Sequence, residues 1–212
     1  MSLPTLLVAT TNPGKFREFS ELLSDLPLRL ASLAHLPGAP AVAEDGATYA
    51  ANATHKALSL ACWSGCATLA DDSGLEVDAL RGAPGVHSAR YAGVEQDSHA
   101  NLHKLLRVLE AIPPSERTAR FRCVVVVACP NGATLLAEGS CDGRILEVPR
   151  GSSGFGYDPV FLYPPLDLTF AEIPPAAKNR VSHRAVACAR LRKKLISFLL
   201  AHADACAGCK LD

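Results

Sequence analysis

Apolar positions along this chain follow two rhythms, and their alternation predicts the elements. TLLVAT, residues 5–10, is a short apolar run with a β-branched end, the pattern of a buried strand. It passes at once into NPGKFREFSELL, where Asn12 suits an N-cap and Pro13 the first helical position. Phe16, Phe19 and Leu23 then recur at spacings of three and four, giving one apolar face. The same spacing predicts a second helix over about residues 48–63 through Tyr49, Ala53, Ala57 and Leu60. It predicts a third over SHANLHKLLRVLEAI, closed by Pro113-Pro114, and a last one from Ser182 through Cys188, Leu191, Leu195, Phe198 and His202.

Strand-like stretches lie between the helical ones. CATLA, residues 66–70, ends at Asp71-Asp72, after which Ser73-Gly74 are expected to turn the chain. ARFRCVVVVACP and ATLLAEGSCDGRIL flank Asn131-Gly132, a hairpin signal, so this pair is antiparallel and the sheet is mixed. RGAPGVHSARYAG and GSSGFGYDPVF read as ordered loops, the second running into a short strand. No repeat or linker divides the chain. The expectation is an α/β fold, one domain over residues 1–202 with a tail, 203–212, of unassigned role.

Composition narrows the function classes. The 212 residues are 49% hydrophobic, enough for a sizeable core, and Lys plus Arg balances Asp plus Glu at 21 each. A net charge of zero argues against a broad nucleic-acid-binding face. The apolar runs are too short to span a bilayer, and no basic segment precedes the first of them, so no membrane partner and a cytoplasmic location are expected. In that setting the eight cysteines are expected as reduced thiols. The pairs CWSGC and CAGC offer one alternative, a zinc site that would need both to meet in space.

Four stretches carry candidate chemistry. In ATTNPGK a helix N-terminus offers free N–H groups and a partial positive charge to an anion such as phosphate, with Thr10, Thr11, Asn12 and Lys15 adding donors. Lysine opposes the helix dipole there, which suggests that a bound anion compensates it. Asp71 and Asp72 point to opposite sides of an extended chain, so one can face a ligand at the strand end. A magnesium ion prefers such carboxylate oxygens, and Glu44 in AEDGATYAANA is a second candidate ligand. In GFGYDP, Phe155 between two glycines presents a ring on which a base can stack, while Tyr157 and Asp158 anchor the loop or contact a sugar. AAKNRVSHRA gathers Lys178, Arg180, His183 and Arg184 near the start of the last helix, with Ser182 as its N-cap. Each stretch also has an ordinary structural reading: a capped helix, a polar turn, a tucked-in aromatic, a solvated basic turn.

Together and in this order, ATTNPGK, EDGATYAANA, LADDSGLEVDALRGAPGVHSARYAG, GFGYDP and SHR resemble the inosine/xanthosine triphosphate pyrophosphatase family over roughly residues 5–200. The resemblance implies an elongated mixed α/β protein with two lobes around a deep substrate cleft, usually a homodimer. It implies Mg2+-dependent hydrolysis of inosine, deoxyinosine and xanthosine triphosphates to the monophosphate and pyrophosphate, which clears miscoding purines from the nucleotide pool. On that likeness Thr10, Thr11, Asn12, Pro13, Gly14 and Lys15 form the triphosphate-binding turn. Asp72 is proton acceptor and metal ligand, and Glu44 lies near the metal. Ser73, Phe155, Gly156, Tyr157, Asp158, Lys178, His183 and Arg184 contact substrate, with His183 and Arg184 as candidates for reading the purine six position. Two departures stand out: Thr11 where many members have glycine, and Ala51 where an acidic residue is common. A pyrophosphatase for other modified nucleotides and a nucleotide sensor without turnover are the alternatives.

Overall fold

The computed structural model describes residues 3–93 and 97–211 and divides the chain into two compact units. The first comprises Met1–Asp72, Cys123–Gly139 and Val186–Asp212; the second comprises Ser73–Arg122 and Ser140–Ala185. Among the described residues there are seven strands: β1 (Thr5–Val8), β2 (Arg29–Ser32), β3 (Ala67–Val77), β4 (Thr118–Ala128), β5 (Thr134–Ile145), β6 (Phe161–Tyr163) and β7 (Leu168–Thr169). They form one mixed sheet in the order β2-β1-β3-β4-β5-β6-β7. β1 pairs in parallel with β2 and β3, while β6 is antiparallel to β5 and β7. The α/β class with a mixed, open sheet is thus as the sequence indicates.

In the first unit, helix α1 (Pro13–Leu22) starts where the sequence places it, with Asn12 Oδ1 accepting from Lys15 N at 3.1 Å. Its Phe19 joins Leu23, the sheet residues Leu6, Val8, Val125 and Val127, and Leu191, Leu195 and Leu199 of helix α5 (His183–Ala201) in one core. Helix α2 (Tyr49–Ser64) is capped by Thr48, buries Ala53, Ala57 and Leu60, and ends at Gly65, whose φ of +71° favours glycine. In the second unit, Leu75, Leu105 of α3 (Ser98–Val108), Phe121, Phe161 and Phe170 form a separate core. Helix α4 (Pro175–Val181), strand β2 and strand β7 have no counterpart in the sequence reading.

Two expectations are corrected. β3 does not end at the aspartates, and Ser73-Gly74 do not turn; the strand continues to Val77. An extended backbone sends Asp71 and Asp72 to opposite faces, and each face supplies a polar partner, so burial of the pair does not force the chain outward. Nor are all the cysteines reduced: Cys66 and Cys209 form a disulfide across a separation of 143 residues, with Cα atoms 4.4 Å apart. The zinc alternative has no support either, because no three metal-binding side chains are grouped among the described residues.

Candidate active site

The first unit assembles a set of paired charges around the C-terminal half of β1 and the middle of β3. The turn after β1 is held by its own side chains: Asn12 N donates to Thr10 Oγ1 at 3.1 Å, and Thr10 is buried. Thr11 and Pro13 are exposed, while Gly14 and Lys15 are half-buried. Lys15 Nζ lies 3.0 Å from Asp71 Oδ2, whose side chain is 1% exposed. This alters one sequence inference. The lysine that opposes the helix dipole is balanced by Asp71, a residue of the same unit, so its position alone does not require a bound anion.

Asp72, on the other face of the strand, accepts from Asn52 Nδ2 at 2.8 Å. Asn52 is itself buried and accepts through Oδ1 from Gly46 N at 2.7 Å. A Cβ on Gly46 would meet Asn52 Oδ1 at 2.6 Å, so the loop that carries Glu44 approaches α2 closely only because residue 46 is glycine. Glu44 forms an ion pair with Lys56 of α2. Burial is the main influence raising the Asp72 carboxyl to about 6; the Asn52 hydrogen bond lowers it, Glu44 raises it, and Lys15 and Asp71 pull it in opposite directions. Burial lowers Lys56, but Asp71, Glu44 and Asp72 outweigh that and leave it raised.

Three carboxylates, Glu44, Asp71 and Asp72, thus face two ammonium groups, Lys15 and Lys56. The remaining negative charge resides with Asp72, whose direct partner is a neutral amide. Glu44 raises the Asp72 carboxyl, and two such neighbouring carboxylates suit an ion that keeps several waters and shares itself with phosphate oxygens. That donor set fits magnesium better than zinc.

The second unit builds a different surface. Its loop 151–158 turns at Gly154 and Gly156, with φ of +79° and +62°. Asp158 Oδ2 accepts from Phe155 N at 2.9 Å and from Lys178 Nζ at 2.7 Å. A Cβ on Gly154 would approach that same oxygen to 2.1 Å, so glycine is required for the loop to close on the carboxylate. Tyr157 donates its hydroxyl to Ser88 O at 2.9 Å and is buried, and burial raises its phenol far above the ordinary range. Of the two roles foreseen for Tyr157 and Asp158, anchoring the loop is the one observed.

The Phe155 ring stays half-buried and is flanked by cations, with Lys178 Nζ at 5.1 Å and the Arg184 guanidinium carbon at 5.8 Å from its centroid. Ser182 Oγ accepts from Ala185 N at 3.1 Å and so caps α5 as expected. That places His183 and Arg184 in its first turn, where both are buried. His183 stacks on Phe121 at 4.7 Å, and Arg184 Nη2 reaches Ser73 Oγ at 3.4 Å.

The structure therefore collects the expected residues in two groups: Thr10, Asn12, Lys15, Glu44 and Asp72 in the first unit, and Ser73, Phe155, Asp158, Lys178, His183 and Arg184 in the second. One of the points where the chain passes from one unit to the other is the Asp72–Ser73 peptide bond. Sequence reasoning missed Asn52 and Lys56. The signal for Asn52 was available: it lies three residues after Tyr49 and next to Ala53, on the apolar stripe of α2, where an amide needs a buried partner. Lys56 follows one turn later.

The Ham1 family model matches residues 6–194 of the chain. The dITP/XTP pyrophosphatase of Desulforamulus reducens is 53% identical over 179 residues, which is 84% of this chain and 89% of that protein. The protein of the same name from Geobacillus kaustophilus is 50% identical over 186 residues, 88% of this chain and 91% of that one. Among solved structures, a HAM1 protein from Coxiella burnetii superposes with a TM-score of 0.83 at 39% identity, covering 92% of this chain and all of the other. A nucleoside-triphosphatase, dITP/XTP pyrophosphatase, from Mycobacterium abscessus gives 0.70 at 41% identity over 88% and 97% of the two chains.

Proposed function

The chain belongs to the Ham1 family, and from that membership we infer that it is a nucleoside triphosphate pyrophosphohydrolase for inosine, deoxyinosine and xanthosine triphosphates. It removes pyrophosphate from non-standard purine nucleotides and leaves the monophosphate. The observation that best supports this chemistry is the pairing in the first unit: Asp71 with Lys15, Glu44 with Lys56, and Asp72 with a neutral amide.

In this reading, Glu44 and Asp72 would hold magnesium, which when bound would neutralise phosphate oxygens and favour the leaving pyrophosphate. Lys15, the N–H groups after Asn12 and the Thr10 turn bind the triphosphate. A water attacks the α-phosphorus, the bond to the bridging oxygen breaks, and the electron pair leaves with pyrophosphate. Asp72, whose carboxyl burial raises to about 6 in the metal-free protein, is the candidate to receive the water's proton.

Residues of the second unit read the base. Phe155 offers the stacking face, and the buried His183 and Arg184 side chains, fixed by Phe121 and Ser73, supply donors for a 6-oxo group. A 6-amino group presents a donor to those donors, and such mispairing discriminates strongly. Asp158 and Tyr157 set the loop, and Lys178 is held against Phe155 by Asp158. Homodimerisation and a cytoplasmic location belong to the same proposal; no helix among the described residues is long and apolar enough to cross a membrane.

The test is pyrophosphate release from dITP, ITP, XTP, ATP and GTP, each with magnesium and with a chelator. Magnesium-dependent release confined to the first three supports the assignment. Release confined to a modified pyrimidine triphosphate run beside this panel, or tight dITP binding without turnover, would overturn it in favour of another nucleotide or a sensor.

A further inference from the structure

The family match ends at residue 194, yet the segment that follows is built into the first unit in detail. The backbone of Gly208 packs on Gly65, where a Cβ would meet Gly208 O at 2.3 Å. Lys210 N donates to Ser64 O at 3.0 Å, and Lys210 Nζ lies 4.2 Å from the Trp63 ring centroid. Cys209 is bonded to Cys66 and shares a core with Leu7, Ala31 and Leu36. All of these contacts converge on one turn, residues 63–66, which joins α2 to β3. Those two elements carry Asn52, Lys56, Asp71 and Asp72.

Beside this bridge lies a third sulfur. Cys206 precedes Cys209 by three residues in a C-x-x-C spacing, is half-buried, and packs against the core that contains Cys129. Cys129 is buried, and burial together with Cys206 pushes its thiol up to about 12, so it stays protonated and inert. Of these two thiols, Cys206 is the less buried. A groove of about 370 Å³ is lined by Leu199, Leu200, Ala203, Cys206 and Cys209 among others, whereas Cys66 is 0% exposed.

We propose that this segment is a thiol–disulfide exchange site that latches the C-terminal tail onto the α2–β3 turn. In the closed state the bond joins Cys66 and Cys209. Opening begins when the Cys206 thiolate attacks Cys209 Sγ. The Cys206–Cys209 bond forms, the Cys66–Cys209 bond breaks, and the electron pair leaves on Cys66, which takes up the proton that Cys206 lost. One disulfide exists before and after, so no oxidant or reductant is consumed. The tail is then held by the Lys210 and Gly208 contacts and by Leu211, whose carbonyl accepts from Arg29 and whose side chain packs on the Leu7 cluster.

The experiment is non-reducing peptide mapping after acid quench and alkylation, on protein equilibrated in buffers of a small monothiol and its disulfide. The expected result is that both the Cys66–Cys209 and the Cys206–Cys209 pairs are recovered, in a proportion that the buffer ratio does not change while the protein keeps one disulfide. The form with the Cys206–Cys209 pair should melt roughly 5–10 °C below the form with the Cys66–Cys209 pair. Cys206→Ser retains the native bridge, so it should fold, show only the Cys66–Cys209 pair, and keep one melting temperature until the bond is fully reduced. Absence of the Cys206–Cys209 pair at every buffer ratio, or transfer without a change in melting, would overturn the proposal.

Discussion

Asn52 donates to Asp72 Oδ2 at 2.8 Å and accepts from Gly46 N at 2.7 Å, so one buried amide ties the strand carrying Asp72 to the loop carrying Glu44. Both proposed metal ligands are positioned by the same side chain. Asn52→Ala should lower kcat by about 10–100-fold and raise the magnesium concentration needed for half-maximal rate. Steady-state kinetics across a magnesium series will check this, and an unchanged magnesium requirement would count against it.

Asp72 opposes stability in the metal-free protein. Its folded carboxyl titrates at about 6 against a model-peptide value of 3.8, so between those limits the native state holds the extra proton. Stability therefore falls as pH rises through that window, by about 3 kcal/mol in total, and stays low above it. Asp72→Asn should abolish turnover, raise metal-free stability at neutral pH, and flatten the profile between pH 4 and 6. Denaturant melts at several pH values, beside an activity assay, will decide.

Lys15 is coupled to Asp71 at 3.0 Å, and the carboxylate is almost wholly buried. Lys15→Ala should destabilise the protein by about 2 kcal/mol, since it deprives a buried charge of a partner, and should also raise KM. Adding Asp71→Asn should restore most of the stability and none of the affinity. A double-mutant cycle read by melting and by KM separates the two effects, and recovery of KM in the double variant would refute the phosphate role.

Phe155 is half-buried and lies outside both cores, so its loss should be felt in binding more than in folding. Phe155→Ala should raise KM for dITP about 10-fold or more, as expected for a lost stacking partner worth about 1–3 kcal/mol, and leave the melting temperature nearly unchanged. Equal KM values would show that the ring does not touch the base.

Elements whose signals are local were legible in the sequence. The Asn12 and Thr48 caps start their helices where the apolar spacing begins, Ser182 caps α5, and Gly132 turns between β4 and β5 with a φ of +87°. What stayed hidden depends on distant partners. β3 reads as ending at Asp71 because nothing nearby announces that Lys15 pairs with Asp71 and Asn52 donates to Asp72. The Cys66–Cys209 bond joins residues 143 apart and has no local signature. β2 is only four residues long with one buried side chain, too short for a period to show. In the site, charged and aromatic residues in Gly-rich stretches were visible as candidates. Asn52 showed only as an amide inside a helix stripe, a sign of some buried partner whose identity, Asp72 and Gly46, lies far off in sequence.

The passage of β3 through Asp71 and Asp72 has an evolutionary corollary. A side chain rooted in the middle of an eleven-residue strand cannot drift, because its backbone is locked by ladder bonds and its aim by Asn52. The proposed stacking face, by contrast, sits on a loop poised on two glycines and a single carboxylate. Substitution within residues 151–158 is thus expected to reshape that face first, while the strand that carries Asp72 tolerates little change.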